Sequence, residues 1–191
     1  MLRWLWAALE DEAQPYRAVV ENLILLGQRR GEVAELPWSE LNRERREWHL
    51  PAKRAKNSCE NVIPLTDAMV ERFDKVAGGK KWPRSGLVFP SREGTPISGW
   101  SKLKRRLDAS MSKAAKKAEA ELEPWKLHDL RRTVATHMQR LGIRHETIEH
   151  LLNHREKART GIAKVYQTHD FKPEKRMALE LWETELQRIV S

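Results

Sequence analysis

The sequence contains a single cysteine, Cys59, among its 191 residues. One thiol excludes an internal disulfide framework and fits a reducing compartment. No apolar run is long enough to cross a bilayer, so we expect no membrane partner. The first twelve residues start apolar but continue into acidic positions, unlike a secretory signal peptide. These absences predict a cytoplasmic protein.

Basic residues are in excess, with 36 Lys+Arg against 27 Asp+Glu and a formal net charge of +9. Such a surplus favours a polyanionic partner. Seven of the positive charges lie between positions 102 and 117, where Asp108 is the one acidic residue. The candidate contacts to a polyanion are Lys102, Lys104, Arg105 and Arg106. A solvated helix face is the alternative interpretation of this cluster, and composition alone slightly favours it.

The order of apolar and turn residues predicts a mostly α domain with one small antiparallel sheet, an α+β class. The 40% hydrophobic content is enough for a folded core in a chain of this length. The predicted helices are 2–9, 16–27, 31–36, 66–76, 98–120, 129–141, 145–152, 161–166 and 173–190. The predicted strands are 48–50, 61–64 and 87–89, with a hairpin turn at Lys56-Asn57-Ser58 between the first two.

Residues 27–32 read Gly-Gln-Arg-Arg-Gly-Glu and join two predicted helices. A planar guanidinium in such a turn holds two phosphate oxygens at once, which an ammonium does less well. Taken alone, the segment fits two exposed arginines in a helix–helix turn better than a binding site.

Residues 125–133 read Trp-Lys-Leu-His-Asp-Leu-Arg-Arg-Thr, with His128 and Arg131 three positions apart. That spacing places both side chains on one face of a helical turn. A helix-capping His128 with a surface Arg131 is the alternative.

Further along, Asn153-His154 is followed at position 166 by one of only two tyrosines in the chain, the other being Tyr16.

Together these segments resemble the catalytic domain of the tyrosine recombinases, the phage integrase family. The resemblance extends from about residue 23 to beyond Tyr166, and four segments stand in the family's order. Two positions depart from the usual pattern, because Leu26 replaces a threonine and Asn153 replaces a glycine. The second change is one that satellite-phage-type integrases show. Asn tolerates left-handed backbone conformations, so we expect the turn to be kept.

The resemblance implies roles for individual residues. Tyr166 is the nucleophile, and the phosphate is held by Arg29, Arg131 and His154. His128 accepts or shuttles the tyrosine proton, and Glu32 is a buried support for the site. Lys56 on the hairpin protonates the leaving 5′ oxygen, with Lys53 as its rival. The product is a 3′-phosphotyrosine, and no metal, ATP or other cofactor is needed.

Histidines at positions 150 and 154 have the spacing of zinc ligands on a helix. The one thiol is distant, however, and His145 and His150 are five apart, which puts them on different faces. We therefore expect no metal site.

The family also implies partners and boundaries. We expect double-stranded DNA as the partner, a tetrameric synapse on DNA, a monomer in isolation and association with the nucleoid. Residues 1–171 would form the catalytic domain, and 172–191 a helical tail that protomers can exchange. Family members normally carry an N-terminal DNA-clamping domain, so we expect a fragment or a truncated gene. The alternatives are a non-catalytic DNA-binding remnant and a type IB topoisomerase-like nicking-closing enzyme.

Overall fold

The computed structural model describes residues 1–154 and 170–191. Within these ranges the chain forms eight α-helices and a three-stranded antiparallel sheet in the order β1-β2-β3. The helices are α1 (Leu2–Glu10), α2 (Tyr16–Leu26), α3 (Arg30–Ala34), α4 (Asp67–Ala77), α5 (Trp100–Lys117), α6 (Asp129–Arg140), α7 (His145–Leu151) and α8 (Lys172–Val190). The strands are β1 (Leu41–Asn42), β2 (Glu47–Leu50) and β3 (Asn61–Pro64). The predicted α+β class with a small antiparallel sheet is confirmed.

One predicted strand was wrong. Residues 87–89 form only an isolated bridge between Leu87 and Pro37, supported by a hydrogen bond from the Val88 amide to the Leu36 carbonyl. Pro37 and Pro90 supply no amide donors, so a ladder cannot extend from this pairing. The predicted helix at 161–166 lies outside the described residues.

Helix α2 is at the centre of the core, with every residue from 22 to 26 buried. A helix that is apolar on all sides must be covered on all sides. Helix α8 supplies part of that cover, because Trp182 is fully buried and its indole donates to the Ile24 carbonyl over 2.9 Å. Leu179 and Leu186 lie in the same core. The 172–191 tail therefore packs on its own domain.

The β2–β3 hairpin is fixed to the same body by Lys175 of α8. Its buried ammonium donates to Asn61 Oδ1 at 2.9 Å and to the Val62 carbonyl at 3.0 Å. The strand register pairs Glu47 with Pro64. The loop 51–60 joins the strands and lies beside α3 and the turn after α7, to which it donates side-chain hydrogen bonds. No helix in the described ranges has the length and apolarity to span a membrane.

Candidate phosphate-binding site

The site is centred on the turn at Gly27, where three segments meet. Gly27 ends α2 with a φ of 63°, a left-handed conformation that side chains disfavour. A Cβ added there would lie 3.0 Å from Leu152 and 3.1 Å from Val134. The backbone therefore approaches both α6 and the turn after α7 closely, and a side chain at this position would force them apart.

Arg29 and Glu32 form a reciprocal pair at the start of α3. The Arg29 amide donates to Glu32 Oε2 at 3.1 Å, and its guanidinium Nη1 donates to Oε1 at 3.1 Å. Only 4% of the Glu32 side chain is exposed, against 19% for Arg29. A buried carboxylate needs partners of this kind. The guanidinium of Arg29 is therefore held by Glu32 at one N–H group, while part of the side chain stays exposed at a cleft.

Arg54 on the hairpin loop fixes the same helix from the other side, which the sequence did not reveal. Its guanidinium donates to both carboxylate oxygens of Glu40, at 2.7 and 2.8 Å, and to the carbonyls of Glu32 and Glu35 at 3.1 Å. In the sequence, Arg54 is one of several basic residues between positions 53 and 56. Nothing local distinguishes it from Lys53 and Lys56, because its partners come from another segment.

Arg131 is buried, with 4% exposed, and joins three segments. Its Nη1 donates to the Gly27 carbonyl at 3.0 Å, its Nη2 donates to the Leu152 carbonyl, and its Nε donates to His154 Nε2 at 3.3 Å. Burial, and next the charge of Arg29, lower the pKa of Arg131 to about 10. An anion placed between the two guanidinium groups would relieve that repulsion, which makes the position favourable for a phosphate.

The end of α7 leaves carbonyl groups without partners inside the helix, as every helix end does. Side chains from elsewhere supply the missing donors here. Gln28 and Asn61 each donate to the Leu151 carbonyl at 3.0 Å, Arg131 donates to that of Leu152, and Asn57 donates to that of Asn153 at 2.7 Å. This turn is therefore tied to the α2–α3 turn, to α6, to β3 and to the hairpin loop.

His154 follows directly and is held through both ring nitrogens. Nδ1 lies 2.9 Å from Glu149 Oε1, and Nε2 accepts from Arg131. A neutral ring that accepts at Nε2 carries its proton on Nδ1, which then donates to Glu149. The backbone at Asn153 has a φ of 51°, so the turn expected for an asparagine at this position forms.

Lys56 and Lys53 line one cleft with Arg29, Glu32 and Arg54. The Lys56 side chain is exposed, and its amide donates weakly to Glu32 Oε1 at 3.4 Å. Both lysines thus border the site, and the structure does not favour one of them by a side-chain contact.

His128 is exposed at the N-terminus of α6, one turn before Arg131, whose amide donates to the His128 carbonyl at 3.3 Å. Its ring makes no hydrogen bond within residues 1–154 and 170–191. Tyr166, assigned as the nucleophile from the sequence, lies outside the described residues.

The four basic residues assigned to DNA contact do not share one face of α5. Leu103 and Leu107 point into the core, so the helical period puts Lys104 and Arg106 on opposite flanks and Arg105 on the outer side. Lys104 pairs with Asp108 at 2.6 Å, and Arg106 pairs with Glu12 at 2.6 Å. Lys102 and Arg105 are exposed and form no ion pair within the described part of the chain.

The histidine pair with zinc-like spacing does not converge on a metal site. His150 is buried and stacks on Phe171 with ring centroids 4.0 Å apart, whereas His154 is engaged with Glu149 and Arg131. In the two described ranges, no three His, Cys, Asp or Glu side chains lie close enough to hold a metal ion.

Known proteins match the chain over most of its length. The sequence profile of the phage integrase family matches residues 2–172. The prophage integrase IntA of Escherichia coli is 26% identical over 157 residues, covering 81% of this chain and 34% of the relative. The integrase of Salmonella phage P22 is 28% identical over 152 residues, covering 74% of this chain and 38% of the relative. The chain thus spans little more than a third of these relatives.

Among solved structures, a lambda integrase dimer bound to a COC′ core site has a TM-score of 0.60 and 21% identity. The match covers 84% of this chain and 57% of that one. At 21% identity, this structural similarity shows a shared fold.

Proposed function

Because the chain belongs to the phage integrase family, we propose that it is the catalytic domain of a site-specific DNA recombinase. It cleaves and rejoins double-stranded DNA through a 3′-phosphotyrosine intermediate. The observation that carries the proposal is that the charges of Arg29 and Arg131 lie close enough to repel each other, with His154 bonded to Arg131. Glu32 holds Arg29, and Glu149 holds His154. Two guanidinium groups are suited to the charge of a pentavalent phosphate, and the His154 ring beside them offers it an N–H when Nε2 rather than Nδ1 carries the proton.

The proposed reaction assigns a role to each group. The Tyr166 oxygen forms a bond to phosphorus while the bond from phosphorus to O5′ breaks. His128 takes the tyrosine proton, and Lys56 gives a proton to O5′, so charge does not accumulate on either oxygen. Arg29 and Arg131 neutralise the non-bridging oxygens. Attack by a 5′-hydroxyl from another duplex reverses the step and exchanges the strands.

The partner we propose is duplex DNA, on which protomers assemble. The lambda integrase structure is a dimer on a core site, and another lambda integrase structure is a tetramer bound to a Holliday junction. A tetrameric synapse of this chain on DNA, starting from free monomers, follows by analogy with those proteins. The excess of 36 basic over 27 acidic residues agrees with a polyanionic partner.

The test is capture of covalent DNA. The chain is incubated with nicked duplexes of randomised sequence, in which the fragment beyond the cleaved bond diffuses away, and detergent-resistant adducts are sequenced. We expect adducts with a shared sequence, unaffected by EDTA. Tyr166→Phe removes the attacking oxygen, so it should abolish the adduct and leave DNA binding nearly unchanged.

Three outcomes contradict parts of this proposal. DNA binding without any adduct would indicate a non-catalytic binding domain. An adduct that persists in Tyr166→Phe would show that another residue attacks. Adducts with supercoil relaxation but no exchange between duplexes would indicate a nicking-closing enzyme.

A further inference from the structure

Two asparagines that are 96 positions apart in the sequence bind each other at the edge of the site. Asn57 Nδ2 on the hairpin loop donates to the Asn153 carbonyl at 2.7 Å, and Asn153 Nδ2 donates back to Asn57 Oδ1 at 3.2 Å. The Asn153 side chain also donates to the Cys59 carbonyl at 2.8 Å. Asn153 is completely buried.

Each asparagine directly precedes or follows a residue assigned to the reaction. Asn57 follows Lys56, and Asn153 precedes His154. Lys56 is exposed, and its own amide reaches Glu32 across 3.4 Å. The hydrogen bonds of Asn57, at 2.7 and 3.2 Å, are therefore shorter than the one from the Lys56 amide, and they restrain the loop at the lysine more closely.

We propose that Asn57 and Asn153 are positioning residues. They fix the loop that carries Lys56 against the turn that carries His154, so that both side chains approach the same phosphate. The inference rests on the proposed function, and it assigns Lys56 rather than Lys53 as the proton donor. Asparagine suits position 153 because it accepts the left-handed backbone, as glycine would, and also provides an amide to bind the loop.

A change of leaving group from oxygen to sulfur separates a loss of proton donation from a general loss of activity. When sulfur replaces the bridging O5′, the group departs as a thiolate, and a thiol has a pKa of about 8.5 against about 15.7 for water. Departure of the sulfur needs no protonation, whereas departure of the oxygen does. A defect in Lys56 placement should therefore slow only the oxygen substrate, and a general disturbance of the fold should slow both.

The experiment uses the duplex selected in the adduct assay, synthesised with oxygen or sulfur at the cleaved bond. Asn57→Ala removes the paired amide, and Asn153→Gly keeps the backbone conformation while removing the side-chain bonds. General acid catalysis contributes about 10²–10⁴-fold, so we expect Asn57→Ala to slow cleavage of the oxygen substrate about 10- to 100-fold. Asn153→Gly should have a smaller effect of the same kind, because Asn57 still reaches its carbonyl. Both variants should cleave the sulfur substrate within a factor of about two of wild type.

Two controls complete the design. Asn42→Ala removes an asparagine from the β1–β2 hairpin, where Asn42 Oδ1 accepts from the Arg45 amide at 2.9 Å. This control should leave the cleavage rates of the oxygen and sulfur substrates unchanged. The Lys56→Ala and Asn57→Ala changes are also combined. If Asn57 acts through Lys56, the double variant is no slower than Lys56→Ala alone.

The possible failures are distinguishable. If wild type forms no adduct with either substrate, the proposed function fails, and this inference with it. If wild type reacts but Asn57→Ala slows both substrates equally, or slows neither, the proposed function stands and the positioning role is wrong. Additive losses in the double variant would also overturn it.

Discussion

Arg131 donates from Nε to His154 Nε2 across 3.3 Å, so the two phosphate-binding candidates are bonded directly to each other. The same guanidinium holds the carbonyls of Gly27 and Leu152. Arg131 consequently has a structural task as well as a proposed chemical one. Glu149, on the far side of the imidazole, keeps the ring oriented toward this position.

Arg131→Lys should damage both tasks, because an ammonium keeps the charge but cannot reach three acceptors in one plane. We expect at least about a hundredfold slower adduct formation, typical of losing a preorganised donor to a developing charge. Unsatisfied carbonyls should also lower the free energy of unfolding by about 1–3 kcal/mol, measured by urea titration. Arg132→Lys is the matched control, since 80% of that side chain is exposed. Equal effects at the two positions would contradict this account.

The basic residues of α5 should contribute unequally to DNA binding. Lys104 and Arg106 already pair with Asp108 and Glu12, whereas Lys102 and Arg105 form no ion pair within the described ranges. Fluorescence anisotropy at several salt concentrations measures how the DNA affinity falls as salt increases. The slope of log affinity against log salt concentration becomes less steep by about 0.9 for each phosphate that is no longer neutralised. We expect that decrease for Lys102→Gln or Arg105→Gln, and a smaller one for Lys104→Gln. A larger decrease for Lys104→Gln would reverse this ranking.

Acid should weaken one specific link between the β1–β2 turn and α4. The hydrogen bonds from Arg43, with a further one from Trp82, lower the pKa of Asp74 to about 2 from its usual 3.8, although burial opposes the shift. A depressed carboxyl pKa stabilises the fold above 3.8, and that contribution is lost as the pH falls toward 2. The difference in Tm between wild type and Asp74→Asn should therefore be largest above about pH 5 and shrink toward pH 2. A difference that stays constant over this range would contradict the assignment.

The C-terminal helix should matter first for stability. Trp182→Ala empties a fully buried site and removes the bond to Ile24, so we expect a loss of about 3–5 kcal/mol in unfolding free energy. Deletion of residues 172–191 should leave an unfolded chain by circular dichroism. The proposed exchange of this tail between protomers is tested instead at Met177 and Leu181, which are 58% and 44% exposed.

Met177→Glu and Leu181→Glu should change unfolding free energy by no more than about 0.5 kcal/mol, as surface changes do. If the tail docks on a neighbour in the synapse, they should reduce strand exchange while adduct formation continues. Normal strand exchange in the double variant would exclude these two side chains from such an interface.

The helices of the described ranges and the two arginine-bearing segments of the candidate site could be predicted from the sequence because both depend on local patterns. Residues 27–32 and 128–131 lie within single turns, and their spacing fixes which side chains share a face. The roles of Arg54, Asn57 and Gln28 were not predictable, since their partners are carbonyls and carboxylates from distant segments. The pairing of Arg106 with Glu12 spans 94 residues, which is why a cluster that reads as uniformly basic is partly neutralised in the fold.

The close approach at Gly27 determines when the contacts of the candidate site can form during synthesis of the chain. The Gly27 carbonyl accepts from Arg131, which is synthesised 104 residues later. The other two acceptors of Arg131, the Leu152 carbonyl and the His154 ring, are synthesised later still. Ile24, one turn earlier, receives its partner Trp182 only 158 residues on. A nascent chain that has exposed α2 and α3 outside the ribosome thus holds Arg29 without the rest of the site. These contacts of the candidate site and of α2 can therefore form only after residues 24 to 182 have been translated.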